Sequence, residues 1–245
     1  MFTHQGSERT YEHNFKVATL LSFVAGVVNV VGFLSVQKLT TNVTGHFAFF
    51  VDDILALKLY DSLIFFLYIF AFFFGAFVSN FLVEIIHKKN EKNIFVMPIA
   101  LEIIILFLLG LLGNSFYSEN PNTIAISLLF AMGLQNSLVT KISNAVVRTT
   151  HLTGLFTDLG IEISQLFFYT SKEQKEKLLS TIGLRMTIIT FFFIGGIVGG
   201  LIFAQIKLHT LIIPALLLAI GLVYDHTKFK ILRWTENHST KKHVR

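Results

Sequence analysis

Long apolar runs without a charged residue set the strongest constraint on how this chain folds. The stretch from Val17 to Val36 contains no charged side chain, and neither does the stretch from Ser62 to Val83. A helix needs about 20 residues to cross the hydrocarbon core of a bilayer. Of the 245 residues, 53% are hydrophobic and only 14% are charged. The sequence therefore predicts an all-α integral membrane protein.

Six transmembrane helices are predicted from these runs. They cover residues 17–36, 62–83, 94–112, 123–139, 186–206 and 210–224. The first run is interpreted as an uncleaved span because no small-residue cleavage site follows it. With six spans, every Lys and Arg except Lys38, Lys58 and Lys207 lies on one side of the membrane. The positive-inside rule then predicts that both termini are cytoplasmic, as a tail at 1–16 and a basic tail at 225–245.

A short polar stretch occurs twice and divides the chain into two membrane repeats, 17–112 and 123–224. The copies are TTNVTGHFAFFVDDI at Thr40 to Ile54 and RTTHLTGLFTDLGIEI at Arg148 to Ile163. Each follows a span with a Gly-x-x-Asn signature, at Gly26 to Asn29 and at Gly133 to Asn136. Because each repeat holds three spans, the two repeats enter the membrane from opposite sides. The sequence thus predicts two inverted three-helix repeats, an arrangement common in transporters.

Strips of small residues recur at the same place in both repeats. Ala71, Gly75 and Ser79 lie four apart in the second span, and Gly196, Gly200 and Ala204 do so in the fifth. Such strips predict close approach of another helix.

Two structures suit the Thr-Gly stretches. In the first, Thr44-Gly45 and Thr153-Gly154 each cap a re-entrant half-helix, with the Thr side chain accepting from free backbone N–H groups. In the second, both stretches are interfacial amphipathic helices lying on the membrane surface. The second copy suits this alternative, because Asp158 and Glu162 share one helical face. The recurrence of Thr-Gly with Gly-x-x-Asn before it and a carboxylate after it nevertheless favours the re-entrant structure.

The predicted function is a secondary transporter or channel-like permease for an unidentified small solute or ion, with its site where the repeats meet. A non-transporting membrane scaffold, or a lipid- or partner-interacting protein, is the alternative. Glu102, His46 and Glu162 are candidates for an ion or proton relay, although Glu102 inside a span could equally be a neutral structural group. The residues predicted to line the substrate site are Asn29, Thr44, Gly45, Gln135, Asn136, Thr153, Gly154 and Asp158. For the three amides among them, hydrogen bonding between helices is favoured over substrate contact.

Several functional classes are not expected. The chain has no cysteine, which excludes disulfides, thiolate metal sites and cysteine nucleophiles. His46 and His151 lack a third clustered ligand, so no metal, cofactor or enzyme activity is predicted. The net charge of +5 comes from basic residues beside the apolar runs, which favours the bilayer over nucleic acid as partner. Assembly of several copies into a homo-oligomer is left open.

The second copy carries a family resemblance. The segment GLQNSLVTKISNAVVRTTHLTGLFTDLG, from Gly133 to Gly160, resembles the GLQN and TT-x-x-TG-x-x-TDL patterns of the YoaK-like family, multi-pass bacterial membrane proteins defined as a domain of unknown function. GVVNVVGFL and NVTGH match in the first half, and the resemblance spans about residues 17–224. It implies six or so spans in a bacterial inner membrane and brings no substrate. Asn29 stands where the family usually has Asp, and His46 where it commonly has Asn.

Overall fold

Helices form most of the chain that the structure describes, and this part contains no strand. The computed structural model describes residues 10–88, 94–116, 119–225 and 227, so most of both predicted tails lies outside it. The all-α prediction is confirmed. The helices are α1 (Tyr11–Val36), α2 (Val43–Leu55), α3 (Leu59–Lys88), α4 (Val96–Phe116), α5 (Pro121–Ser143), α6 (Leu152–Gln165) and α7 (Lys172–Ile206), followed by a 3₁₀ helix (Lys207–Leu211) and by α8 at 212–225.

Five stretches of the described chain are long and apolar enough to cross a membrane. Four are α1, α3, α4 and α5, with α4 counted to Ser115. The fifth runs for 54 residues from Lys172 to Asp225 and includes α7, the 3₁₀ helix and α8. The structure therefore supports a multi-pass helical membrane protein with five such stretches, where the sequence predicts six spans.

Local signals explain where the long helices begin and end. Thr10 caps α1 by accepting from the backbone N–H of His13 at 3.4 Å, so this helix starts six residues before the predicted span. Pro121 begins α5, where a missing N–H costs nothing. Gln37 and Asn144 end α1 and α5 with positive φ angles of 54° and 52°. These left-handed residues stop both helices at the point where each enters a Thr-Gly stretch.

The first half of the chain (10–116) and the second half (119–225) are joined by two helix pairs, α1 with α7 and α5 with α3. A Cβ atom on Gly26 of α1 would lie 2.0 Å from the Phe192 carbonyl oxygen of α7, and one on Gly133 of α5 would lie 2.1 Å from the Phe72 oxygen of α3. Only glycine permits such an approach. Each pair joins the first long helix of one half to the second long helix of the other.

The centre of the molecule is formed by α1 and α5. In each of these helices 61% of the most apolar segment is buried, compared with 28% in α3 and 33% in α4. α1 and α5 also pack on one another. The outer helices expose large apolar side chains, including a ladder of stacked phenylalanines on α3. Exposed apolar side chains suit contact with lipid, and the central helices are the ones placed to surround a polar site.

Candidate functional site

The Asn of each Gly-x-x-Asn signature holds the chain just before a Thr-Gly helix. Thr41 donates its hydroxyl to Asn29 Oδ1 at 2.7 Å, and Thr150 donates to Asn136 Oδ1 at the same distance. Asn136 Nδ2 also donates to the Met132 carbonyl at 2.8 Å. These bonds lie within α5 or tie α1 and α5 to the loop that follows each helix, and none of them joins two helices. They also fix the entry into α2 and α6.

The first Thr-Gly helix, α2, is anchored on α3 by His46. The imidazole is buried, its Nε2 lies 2.6 Å from the Leu39 carbonyl oxygen, and its Nδ1 has no partner. The ring centroids of Phe65 and Tyr68 lie 5.8 and 5.1 Å away. Burial lowers the pKa of His46, which the hydrogen bond to Leu39 opposes and nearby Lys38 reinforces. Through these contacts His46 anchors α2 on α3.

The prediction that Thr44 and Thr153 cap the short helices is wrong. α2 begins at Val43 with Asn42 as its N-cap, and Asn42 Oδ1 accepts from the Gly45 N–H at 3.1 Å. α6 begins at Leu152 with His151 at the cap position and no side-chain cap bond. Asn is among the best N-cap residues and comes first in the chain, so the helix starts before Thr44. Both threonines lie exposed in the first helical turn.

The second Thr-Gly helix, α6, is held on α7 by ion pairs. Arg185 donates from Nε and Nη2 to the two carboxylate oxygens of Glu162 at 2.8 and 3.0 Å, and its Nη1 lies 2.9 Å from Asp158. Glu162 is 13% exposed, Arg185 23% and Asp158 47%. A guanidinium suits this planar, two-pronged contact. Arg185 thus offsets one of the two negative charges, and its contacts with Glu162 and Asp158 leave both carboxylates less free to bind a solute.

Among the described residues, two large polar side chains in the interior make no hydrogen bond. Glu102 of α4 and Gln135 of α5 are fully buried, and none of their four side-chain polar atoms makes a hydrogen bond. Buried polar groups are nearly always satisfied in proteins, and ionisable residues inside spans usually face a partner or an aqueous path. These two residues are the strongest candidates for an interior ligand or ion.

A polar cleft of about 520 Å³ opens between α3 and α5, at the end of α5. Lys141 lines it and forms an ion pair at 2.8 Å with Glu84 of α3. The cleft is lined by Ala76, Asn80, Asn136, Ser137, Thr140, Lys141, Asn144 and Ala145. Six of these eight residues are polar, whereas the pocket beside the other helix pair, α1 with α7, is lined by apolar residues and one glycine.

The predicted site residues fall into separate places. Arg185 joins Asp158 and Glu162, while Asn136 reaches the polar cleft. Within the described chain, no hydrogen bond or ion pair links a site residue of the first copy with one of the second, so lining of one shared site stays a prediction. The residues Gly45 and Gly154 lie in the first turns of α2 and α6. No cluster of three or more His, Asp or Glu side chains suited to a metal occurs among the described residues.

Three residues important to the site were missed by the sequence reasoning. Arg185 stands at the edge of the fifth predicted span, where it was counted only as a topogenic charge. Asn80 and Lys141 were not singled out either. A polar side chain late in an apolar helix, such as Asn80, is the signal that could have found the cleft.

The comparisons with known proteins identify a family and a transmembrane relative. The family described as "Protein of unknown function (DUF1275)" matches residues 17–224. The UPF0700 transmembrane protein YoaK of Bacillus subtilis (strain 168) is 29% identical over 186 residues, which is 74% of this chain and 80% of that protein. No solved structure matches. The resemblance to the YoaK-like family is confirmed.

Proposed function

The chain belongs to the DUF1275 family, and from that premise we propose that it is a secondary transporter or channel-like permease for a small polar solute. The polar cleft between α3 and α5 is the observation that carries the proposal. Six of its eight lining residues carry polar groups although it opens between apolar helices, and a scaffold requires no such cleft. A solute-binding protein needs such groups.

The proposed architecture has six spans in two inverted repeats. Two matched observations support it: the glycine contacts of Gly26 and Gly133 with the partner helix, and the equal Thr–Asn hydrogen bonds at Asn29 and Asn136. The 54-residue stretch from Lys172 to Asp225 would be about 80 Å long as one straight helix. Since a hydrocarbon core is about 30 Å thick, α7 and α8 are two crossings separated at Lys207. α2 and α6 are then the half-helices of the two repeats.

The proposed location is the bacterial inner membrane, with both termini cytoplasmic. The distribution of Lys and Arg supports this orientation, and the Bacillus relative is a transmembrane protein. In this orientation the end of α5, and with it the cleft at Lys141, faces the cytoplasm. The structure is then a state open to the inside, in which a solute would enter past the ion pair of Lys141 with Glu84.

The proposal is tested by measuring whether a water-soluble reagent reaches the cleft from both sides of the membrane. Because the chain has no cysteine, Ser137→Cys introduces a single thiol into the cleft. A membrane-impermeant methanethiosulfonate reagent is expected to label it in inverted vesicles, where the cleft is open, and more slowly in intact cells, as the protein alternates between states. The measurement is the rate of labelling from each side, followed by mass shift.

Val139→Cys is the matched control, since Val139 is fully buried two residues further along α5. It is expected to remain unlabelled from either side. Labelling of Ser137→Cys from the cytoplasmic side alone would contradict transport and favour the scaffold alternative. Absence of labelling from both sides, in protein that is still folded, would contradict the existence of a water-filled cleft.

A further inference from the structure

We propose that Glu102 and Gln135 form one proton-binding site in the interior, separate from the cleft. The inference rests on the proposed transport function, because it assigns the ion that the transporter would couple to its solute. Both side chains are fully buried, and all four of their polar atoms lack a partner. A purely structural pair of buried polar groups would be expected to satisfy one another.

The register of α4 against α5 brings the two residues to the same depth. Ile105 of α4 and Phe130 of α5 line one cavity together with residues of α3, and Gly113 and Thr123 of these antiparallel helices line another nearer the connecting loop. From Ile105, one turn back along α4 reaches Glu102. From Phe130, about one and a half turns forward along α5 reaches Gln135. With a rise of about 1.5 Å per residue, the two depths agree to within one helical turn.

Both side chains also point into the central part of the molecule. A Cβ on Gly133 would face α3, and Gln135 lies about 200° further around α5, on the side away from α3. Glu102 shares its face of α4 with Gly113, whose Cβ would meet Leu208 of the 3₁₀ helix. The two faces border the interior that α1 also lines.

A proton is the ion that this chemistry fits. One carboxyl group and one amide can share a proton, with the carboxyl donating to the amide oxygen when it is protonated and accepting from the amide N–H₂ when it is not. They offer too few oxygen ligands to replace the hydration shell of a metal cation. Among the described residues, no cation pairs with Glu102: on the packed elements, Lys141 pairs with Glu84, and His209 contacts the Gly110 carbonyl. No hydrogen bond or ion pair joins Glu102 to these groups, to Lys207 or to Asp225.

Dicyclohexylcarbodiimide, which reacts with protonated carboxyl groups in apolar surroundings, tests the assignment on the full-length protein in proteoliposomes. Peptide mass spectrometry measures the labelled fraction of Glu102 as a function of pH, in sodium chloride and in choline chloride. We expect labelling that falls as pH rises and that is equal in both salts. Gln135→Leu is expected to move the half-labelling point upwards by about one pH unit, because it removes the amide group that, as proposed, turns and donates to the carboxylate once Glu102 is deprotonated.

Leu134→Met, a buried substitution on the same helix, is the matched control and is expected to leave the half-labelling point unchanged. Protection by sodium over choline would overturn the proton assignment in favour of a metal cation. Labelling that is absent, or that does not change with pH, would identify Glu102 as a sealed structural group. The outcome is independent of labelling at Ser137→Cys, so failure of the proton site and failure of the transport function can be told apart.

Discussion

The variant Gly26→Ala is expected to separate α1 from α7 and to destabilise the whole molecule. A Cβ at this position would lie 2.0 Å from the carbonyl oxygen and 2.9 Å from the carbonyl carbon of Phe192, and 3.0 Å from the amide nitrogen of Gly196. All three are backbone atoms, so no rotamer change relieves the clash. Overpacking a core costs about 3 kcal/mol at the upper end of its usual range. For a chain of this size that corresponds to a fall in Tm of about 10 °C.

The measurement is thermal unfolding of the purified full-length protein in detergent, followed by fluorescence-detected size-exclusion chromatography. Gly133→Ala is expected to cost the same, because its Cβ would lie 2.1 Å from the Phe72 oxygen and 3.0 Å from the Ala76 nitrogen. Gly160→Ala is the control: no atom lies within 4 Å of its Cβ, so it should raise stability by up to about 1 kcal/mol. An unchanged Tm for Gly26→Ala would contradict the packing of α1 on α7.

From the sequence, helices and the positions where another helix approaches closely were easier to predict than which helix packs against which. Uncharged apolar runs and the small-residue strip around Gly75 depend only on local pattern, and the structure does bring a neighbouring backbone to Gly75. The pairing of α1 with α7 and of α5 with α3 joins distant parts of the chain, and no local pattern encodes it. For the same reason Gly26 and Gly133 were read as members of a signature, while their packing role became visible only in the folded chain.

In the candidate site, too, some residues could be identified from the sequence and others only from the packing of the helices. Glu102 was identifiable because a carboxyl group inside a span is costly wherever the helix packs. Arg185 was missed because its role depends on Asp158 and Glu162, which lie on another helix. Thr44 and Thr153 were assigned as caps from residue type alone, although Asn42 precedes Thr44 and competes for the same position. Residue chemistry was readable from the sequence, whereas the choice between competing partners required the fold.

The variant Arg185→Gln is expected to release α6 from α7. It removes three charge-assisted contacts, at 2.8 and 3.0 Å to Glu162 and at 2.9 Å to Asp158, and leaves two carboxylates unpaired. Breaking an exposed pair costs up to about 1 kcal/mol, and breaking a buried pair roughly 3–5 kcal/mol. The partial exposure of this cluster places the expected loss at about 2 kcal/mol, or about 30-fold faster amide exchange in α6.

Hydrogen exchange of the full-length protein, resolved to peptides of α6, measures this opening. Lys177→Gln is the control, since Lys177 lies on the same helix in an exposed position and forms no ion pair with any residue that the structure describes; it should leave exchange in α6 unchanged. Arg185→Lys is expected to recover only part of the protection, because an ammonium cannot make the two-pronged contact with Glu162. Equal exchange in Arg185→Gln and the unsubstituted protein would show that Leu155 and Leu159 alone hold α6.

The first half of the chain suggests a rescue of that variant. Phe49 follows Thr44 by the same interval as Asp158 follows Thr153, and it stacks on Phe65 of α3 with ring centroids 5.2 Å apart. Phe65 precedes Gly75 by the same interval as Arg185 precedes Gly195. The two halves therefore hold their short helices at equivalent positions, the first half with aromatic rings and the second with charged side chains. The double variant Asp158→Phe with Arg185→Phe is therefore expected to restore slow exchange in α6. Protection no better than in Arg185→Gln would mean that α6 needs the ion pair with Glu162 itself. The aromatic and the charged contacts would then be equivalent in position but not in their effect on stability.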